Sequence, residues 1–314
     1  MVEILIIVLL AIVLLVLCSG GYVFFVACRR MKDRPWLEPE KLKGTDYEKY
    51  IQHIQNSHHW LMQHAAQDVY VTSHDGLKLH GLWIPAENAK GTVLLAHGYR
   101  STMLVDFGLI FEVYHNLHLN LLVPEQRCHG KSEGKYITFG VKESRDMQAW
   151  IDYHNRHFGN CELIISGLSM GASTMIYLAD QILPDNVKGI IVDCGFTSPA
   201  AILSKVFTSV THLPGLPSVL AADLFARVFA GFSLYQKDSR KTLAKSRLPI
   251  LMIHGLGDDF VPSYMTRQGY DACTSEKTLF MVEEAGHGTS YLKQPERYRD
   301  LVIAFLNKHL EGMA

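Results

Sequence analysis

Between residues 92 and 282, six short runs rich in Val, Ile and Leu alternate with segments long enough to be helices, and this alternation restricts the chain to few folds. The runs cover 92–96, 119–123, 163–166, 190–193, 250–253 and 278–282. They are too short for helices, and without polar and apolar alternation they suit strands buried on both faces. Helical connections between such strands are right-handed crossovers joining parallel neighbours. Upstream, 68–73 and 77–84 flank Asp75-Gly76 and read as a hairpin closed by a two-residue turn. The expected architecture is an α/β sheet of about eight strands, mostly parallel after the opening hairpin, with helices on both faces. Sheets of this kind bind ligands at the carboxyl ends of their strands.

One interval breaks the rhythm. Residues 198–247 hold two strands about fifty residues apart, where a connection in such folds needs far fewer. Within it Phe207, Leu213, Leu216, Leu220, Leu224, Phe225, Val228, Phe229 and Phe232 predict short helices, with Pro214 and Pro217 breaking them, so the insertion reads as a helical cap. An apolar share of 48% in 314 residues is ample for a core. Thirty basic residues against 31 acidic ones exclude the broad positive footprint of a nucleic-acid binder. The six cysteines are scattered without a Cys-x-x-Cys pair, which suggests neither a disulfide framework nor a zinc ribbon.

Residues 4–28 carry no charge, and as a helix they would span roughly 37 Å, enough for a ~30 Å hydrocarbon core. The competing reading is a cleaved signal peptide ending near Ser19-Gly20-Gly21. Glu3 in place of a basic leader, and the length of the apolar stretch, favour a single-pass transmembrane anchor instead. Leu17 before Cys18 is too large for a lipoprotein signal. Arg29, Arg30, Lys32 and Arg34 crowd the C-terminal flank of the stretch, so the positive-inside rule places the following domain in the cytoplasm, with an extracytoplasmic domain as the alternative. Unpaired cysteines agree with the reducing side. The chain then divides into an anchor with its basic flank (1–34), a polar linker (35–67) and the α/β domain (68–314). Ile51, Ile54, Trp60 and Leu61 give the linker a helical part that packs onto the domain.

Gly-x-Ser-x-Gly occurs twice, as Gly130-Lys131-Ser132-Glu133-Gly134 and as Gly167-Leu168-Ser169-Met170-Gly171, so the pattern alone nominates no nucleophile. A nucleophile elbow needs a strand, a strained turn that lifts the serine, and a helix whose N-terminal N–H groups face the developing oxyanion. Ser169 follows the apolar run at 163–166 and precedes a helix-forming stretch at 172–180. Ser132 has neither neighbour: it follows Arg127-Cys128-His129 and runs into Lys135-Tyr136-Ile137-Thr138, a loop by composition. Ser169 is therefore the candidate nucleophile.

A serine hydroxyl needs an imidazole base, and the imidazole needs an acid that sets its tautomer. On such an elbow the acid and the histidine follow the serine in that order. His287 lies after the last strand in Glu284-Ala285-Gly286-His287-Gly288, a glycine-rich turn able to carry an imidazole over the sheet end. Three carboxylates are candidates for the acid: Asp258 and Asp259 in the exit from the 250–253 strand, and Asp193 at the end of the preceding one. Role and order favour Asp258; Asp193 stays the alternative, unless it only caps a neighbouring turn. The oxyanion donors would be the backbone N–H groups of Met170 and of Tyr99, in His97-Gly98-Tyr99-Arg100. His97 reads as a structural hydrogen-bonder. His58, His59 and His64 lack a His-Glu-x-x-His arrangement and read as a solvated helix face, and the chemistry calls for no metal or organic cofactor.

His97-Gly98, Arg127-x-His129-Gly130-x-Ser132, Gly167-x-Ser169-x-Gly171, Asp258-x-x-Val261-Pro262 and Gly286-His287-Gly288, in that order, resemble the α/β-hydrolase superfamily over about 69–310. Within it the chain is similar to bacterial membrane-anchored hydrolases of the serine-aminopeptidase-like and monoacylglycerol-lipase-like groups. The resemblance implies the α/β-hydrolase fold, a helical cap between the sixth and seventh strands, and structural roles for His129 and Ser132. Glu125 departs from it, standing where many relatives carry Asp. The expected activity is a serine hydrolase acting through an acyl-enzyme on carboxylic esters with an apolar acyl or alcohol group, chosen by the apolar side chains of the cap. An aminopeptidase would instead hold an ammonium with a carboxylate, and 198–247 offers only Asp223 and Asp238. A non-catalytic ligand binder is the third reading. Expected partners are a small-molecule ester or short peptide and the lipid bilayer, with no nucleic acid; nothing marks an oligomeric state.

Overall fold

The computed structural model describes residues 1–32, 43, 44, 48, 51–159 and 161–313. Arg34 of the expected basic flank, and 35–42, 45–47, 49 and 50 of the expected linker, lie outside the described residues.

The strands are β1 (Gln67–Thr72), β2 (Lys78–Ile84), β3 (Gly91–Ala96), β4 (Leu119–Pro124), β5 (Leu163–Leu168), β6 (Val187–Asp193), β7 (Ile250–Gly255) and β8 (Lys277–Val282). They form one eight-stranded sheet in the order β1-β2-β4-β3-β5-β6-β7-β8. The β1/β2 and β2/β4 pairs are antiparallel and the rest are parallel. The chain leaves β3 for β4 on one side and returns past it to β5 on the other. Strand order therefore reverses at β3, and a crevice opens at the carboxyl ends of β3 and β5. Every residue of β3 and β4 is buried, as apolar runs without alternation require.

The opening hairpin differs from the expected two-residue turn. His74, Asp75 and Gly76 lie between Ser73 and Leu77, which pair through Ser73 N–H donating to Leu77 O at 2.8 Å. Gly76 takes φ +86°, and Ser73 Oγ accepts the Leu77 N–H at 2.8 Å, so the serine supplies an acceptor that a tighter turn would not use. Arg127 holds this turn from inside: its guanidinium donates to both carboxylate oxygens of Asp75 at 3.0 Å and to Asp146 at 2.6 Å.

Helices are α1 (Val2–Cys28), α2 (Ile51–Gln63), α3 (Met103–Asn116), α4 (Glu143–Phe158), α5 (Met170–Leu178), α6 (Pro199–Thr211), α7 (Gly215–Phe225), α8 (Ser239–Leu243), α9 (Tyr264–Ala272), α10 (Ser290–Lys293) and α11 (Pro295–His309). Phe107, Ile110, Phe111 and Tyr114 of α3 and Val302, Phe305 and Leu306 of α11 cover one face of the sheet. Met147, Trp150 and Ile151 of α4 with Met175, Ile176 and Tyr177 of α5 cover the other. α2 lies on α3: Ile54 is buried, and a Cβ at Gly108 would stand only 1.8 Å from Ser57 Oγ. Of the three histidines expected on a solvated face, His59 is exposed. His58 is half-buried, and His64 stacks on Trp60 at 3.8 Å and meets His115 edge-on, because an imidazole ring gains contact against an indole.

Between β6 and β7 come α6, α7, a π-turn at Ala226–Ala230, and α8. Pro214 separates α6 from α7, but Pro217 sits inside the first turn of α7 rather than breaking it, where the missing N–H would have had no acceptor anyway. α1 is apolar and long enough to cross a membrane, and none of residues 2–17 is buried against the domain. Its last third does pack: Gly20, Gly21, Val23, Phe24 and Cys28 are buried. Small residues allow the approach, since a Cβ at Gly20 would lie 2.3 Å from that of Ala221, and Ser19 Oγ meets Ser218 Oγ at 2.7 Å.

Candidate active site

Ser169 stands between β5 and α5 with φ +57° and ψ −117°, a strained backbone that a serine holds only when its surroundings impose it. The flanking glycines make the turn possible. A Cβ at Gly171 would lie 1.8 Å from Ala96 O, and one at Gly167 would lie 2.3 Å from Gly171 O. Ser169 N–H donates to Asp193 O at 2.9 Å, which ties the turn to the end of β6. Met170 is the first residue of α5, so its N–H belongs to the group that a helix leaves without an intrahelical acceptor.

His287 Nε2 lies 2.9 Å from Ser169 Oγ, and His287 Nδ1 lies 2.7 Å from Asp258 Oδ2. The carboxylate can only accept, so Nδ1 carries the proton and Nε2 is left free to accept from the serine hydroxyl. Asp258 is buried and heavily bonded: Oδ1 accepts the N–H groups of Phe260 and Val261 at 3.0 and 2.8 Å, and Oδ2 also faces His254 Nε2 at 3.1 Å. Burial alone would push its pKa up; the hydrogen bonds from His254, His287 and Val261 outweigh burial and hold it at about 2. His254 is a partner that the sequence did not reveal. It is an interior residue of β7, and only the fold turns its ring toward the loop.

The other two acid candidates do not meet His287. Asp193 accepts from Ser290 Oγ at 3.0 Å, and burial raises its pKa to about 6. Asp259 is exposed, and its carbonyl accepts from Lys205 Nζ. Ser132 Oγ donates to Glu125 O at 2.6 Å and accepts the His80 N–H at 2.9 Å, inside a loop stitched by the Glu125 carboxylate to Lys131 N–H and His80 Nδ1.

Tyr99 follows β3 on the opposite lip of the crevice. Its loop is fixed from several sides. Gly98 N–H donates to Asp106 Oδ2 and Ser101 Oγ to Asp106 Oδ1, from the first turn of α3. Arg100 N–H donates to His129 Nε2 at 3.0 Å, and Gln126 N–H to His97 Nε2 at 3.0 Å. Burial lowers the pKa of His97 to about 3 and of His129 to about 4, so both imidazoles are neutral acceptors. The same loop reaches α1: Tyr99 Oη donates to Ala27 O at 2.8 Å, and Arg100 Nη2 to Val26 O at 2.5 Å and Arg29 O at 3.2 Å. These are carbonyls at the end of α1, which a helix leaves without intrahelical donors.

A cavity of about 180 Å³ opens beside Ser169 and His287 and runs between α2 and α3, lined among others by Ile54, Val105, Phe107, Ile110, Tyr291 and Leu292. None of its lining residues comes from 198–247, the segment expected to shape the substrate site. Val219, Ala222, Ala226 and Phe232 of the insertion form a cluster with Val23 and Phe24 of α1 that also holds Met170, with Tyr99 packed against it. Asp223 and Asp238, the carboxylates considered for an ammonium, are also outside the cavity. Asp223 accepts from Arg227, Ser233 and Leu234 N–H; Asp238 caps α8 and pairs with Arg240.

Two groups of residues bring three potential metal-ligand atoms within 4.8 Å of one another among the described residues. Cys194 joins Asp258 and His287, whose donors and acceptors are already engaged with each other and with Ser169. His74 joins Asp75 and Asp146, between which the Arg127 guanidinium supplies the positive charge.

Residues 91–225 match the family profile described as alpha/beta hydrolase fold. The Bacillus subtilis protein YqkD is 27% identical over 233 residues, covering 74% of this chain and 76% of that protein. A Saccharomyces cerevisiae protein named as a membrane protein is 22% identical over 74% of this chain and 76% of its own length. Among solved structures, the Pyrococcus furiosus esterase Pf2001 superposes with a TM-score of 0.63 at 22% identity, covering 80% of this chain and 95% of that one. Est1E from Butyrivibrio proteoclasticus, determined with ferulic acid bound, does so with a TM-score of 0.60 at 18% identity over 77% and 98%. By its sheet, its strand order and this match over residues 91–225, the chain has the α/β-hydrolase fold.

Proposed function

We propose that this chain is a membrane-anchored serine hydrolase that cleaves carboxylic esters with an apolar acyl or alcohol group. The observation that carries the reading is the relay from Ser169 Oγ through His287 to Asp258, at 2.9 and 2.7 Å, on a strained elbow at the mouth of a cavity whose wall between α2 and α3 is formed by Ile54, Val105, Phe107 and Ile110. In the proposed mechanism His287 takes the Ser169 proton as the hydroxyl attacks the ester carbonyl. The N–H groups of Met170 and Tyr99 stabilise the oxyanion, each such donor being worth roughly 2.7–4 kcal/mol. His287 then protonates the leaving alcohol, and water, deprotonated by the same imidazole, releases the acid. Asp258 stays ionised throughout and stabilises the imidazolium.

The ester reading is favoured over an aminopeptidase because Asp223 and Asp238 are spent on other bonds away from the cavity, and the carboxylates that line it, Asp106 and Asp193, accept from Gly98 N–H and Ser101 and from Ser290. α1 serves as the anchor, and by the positive-inside rule the exposed Arg29 and Lys32 at its end support a cytoplasmic over an extracytoplasmic domain. The test is turnover of p-nitrophenyl esters of increasing chain length beside aminoacyl-nitroanilides, with Ser169→Ala as control. Ester turnover falling at least ~10⁴-fold in the variant is expected. Turnover unchanged by Ser169→Ala would remove the assignment, and preference for the nitroanilides would transfer it to the aminopeptidase reading.

A further inference from the structure

The surface of α7 that faces away from the domain is a row of leucines. Leu216, Leu220 and Leu224 recur every four residues and are 58%, 53% and 53% exposed. The row continues into exposed Val228 and Phe229 past the end of the helix and into Leu213 before its start. Asp223, the helix's one charged residue, is turned inward to Ser233 and Leu234 N–H, and the exposed Arg227 past the helix end is tied to it at 2.8 Å, which leaves the face of α7 itself without charge. Contiguous apolar patches of this kind on a folded chain mark an interaction site. These leucines do not line the cavity beside Ser169, so they are not its acyl pocket.

The length of α1 says what meets them. Residues 2–17, none of which is buried, rise only about 24 Å, whereas a bilayer core needs ~30 Å or about 20 residues. A helix crossing that core must immerse Gly20, Gly21 and Tyr22 as well. In that stretch Ser19, Gly20 and Gly21 are the residues against which α7 is packed, through Ser218, Ala221 and Phe225. Their contact is built from small side chains, as between helices within a membrane. Phe25, itself part exposed, lies 5.6 Å from Phe229, so the apolar surfaces of the two helices are continuous. The first exposed cations, Arg29 and Lys32, follow one to two turns further on, at headgroup level.

We propose that the outward face of α7 is embedded in the acyl–headgroup boundary of the bilayer that α1 crosses, so that the inserted helices are a membrane-docking surface and the domain has one fixed orientation on the lipid. The proposal rests on the reading of α1 as a membrane-crossing helix and is independent of the hydrolase reading. Its depth is that of an interfacial helix, ~5–10 Å below the headgroups.

The test uses the full chain in phosphatidylcholine vesicles, in a Cys18→Ser, Cys161→Ser background. One environment-sensitive fluorophore is attached in turn at Leu10→Cys, Leu220→Cys and Asp152→Cys, the last on the exposed side of α4. The quencher is a nitroxide carried on the lipid acyl chain. Loss of about half the fluorescence or more is expected at positions 10 and 220, with position 220 quenched more by a shallow nitroxide than by a deep one, and no loss at 152. Quenching at 10 without quenching at 220 overturns the docking surface and leaves the crossing helix standing. Quenching at neither removes both. If position 220 is shielded from lipid and a pyrene placed there gives excimer emission, the face belongs to a second copy of the chain and the proposal is overturned.

Discussion

The Tyr99 hydroxyl donates to the carbonyl oxygen of Ala27 at 2.8 Å, joining the loop after β3 to the last turn of α1 across 72 residues of sequence. Arg100 adds bonds to Val26 O and Arg29 O, so the loop proposed to donate to the oxyanion is braced by the end of the proposed anchor. Tyr99→Phe keeps the ring stacked on Phe139 and removes only the donor. We expect kcat for a soluble ester to fall ~3–10-fold with KM nearly unchanged, and stability to fall by about 1 kcal/mol. Equal kcat in the two proteins would show that the brace does not reach the reacting atoms.

Asp258→Asn leaves the shape of the relay but permits the amide to donate where the carboxylate accepted, which favours the wrong tautomer of His287. Steady-state kinetics should give a kcat lower by ~10³–10⁴-fold, with substrate affinity retained. Asp193→Asn, by contrast, should lower kcat less than about tenfold, since Asp193 bonds Ser290 rather than His287. A larger loss in Asp193→Asn than in Asp258→Asn would reverse the assignment of the acid.

Asp106 is half-buried, and desolvation raises its pKa from an ordinary 3.8 to about 6 despite the bonds from Ser101 and Gly98. The protonated form is thus the one favoured by folding. The resulting stability is present in full below about pH 3.8 and is lost as the pH rises through about 6. Asp106→Asn removes that dependence. Thermal unfolding followed from pH 4 to 7 in detergent should therefore show a smaller decline in the variant than in the parent protein, and parallel curves would contradict the assignment.

Ile54 of α2 is buried and walls the cavity opposite α3. Truncation to Ala enlarges the space beside the proposed nucleophile. In a p-nitrophenyl ester series the chain-length optimum should move to longer acyl groups, with kcat/KM for them rising up to ~10-fold relative to acetate. An unchanged profile would mean that the acyl group lies elsewhere.

Much of this protein was legible in its sequence because the signals are local. Runs such as 93–96 and 163–165 are apolar throughout and too short for helices, a pattern that suits strands buried on both faces. Ser169 was separable from Ser132 because the strand before it and the helix after it are adjacent in the chain. Three things were not local. Asp193 and Asp258 have the same side chain at comparable strand ends, and only the paths of two distant loops decide that Asp258 meets His287 while Asp193 meets Ser290. The apolar residues of 198–247 looked like a substrate pocket, yet hydrophobicity has no direction. The fold spends them on α1 and on an outward face, and the cavity wall comes from α2 and α3 instead. The apolar character of residues 4–28 made α1 recognisable, but its seat against α7 and its hold on Tyr99 depend on the close approach of Gly20 to Ala221. Composition and period determined which elements form and where the chemistry-bearing turn lies. Which side chains meet was decided by tertiary packing, because hydrogen bonds and close contacts require positions fixed to tenths of an ångström between segments that no sequence pattern links.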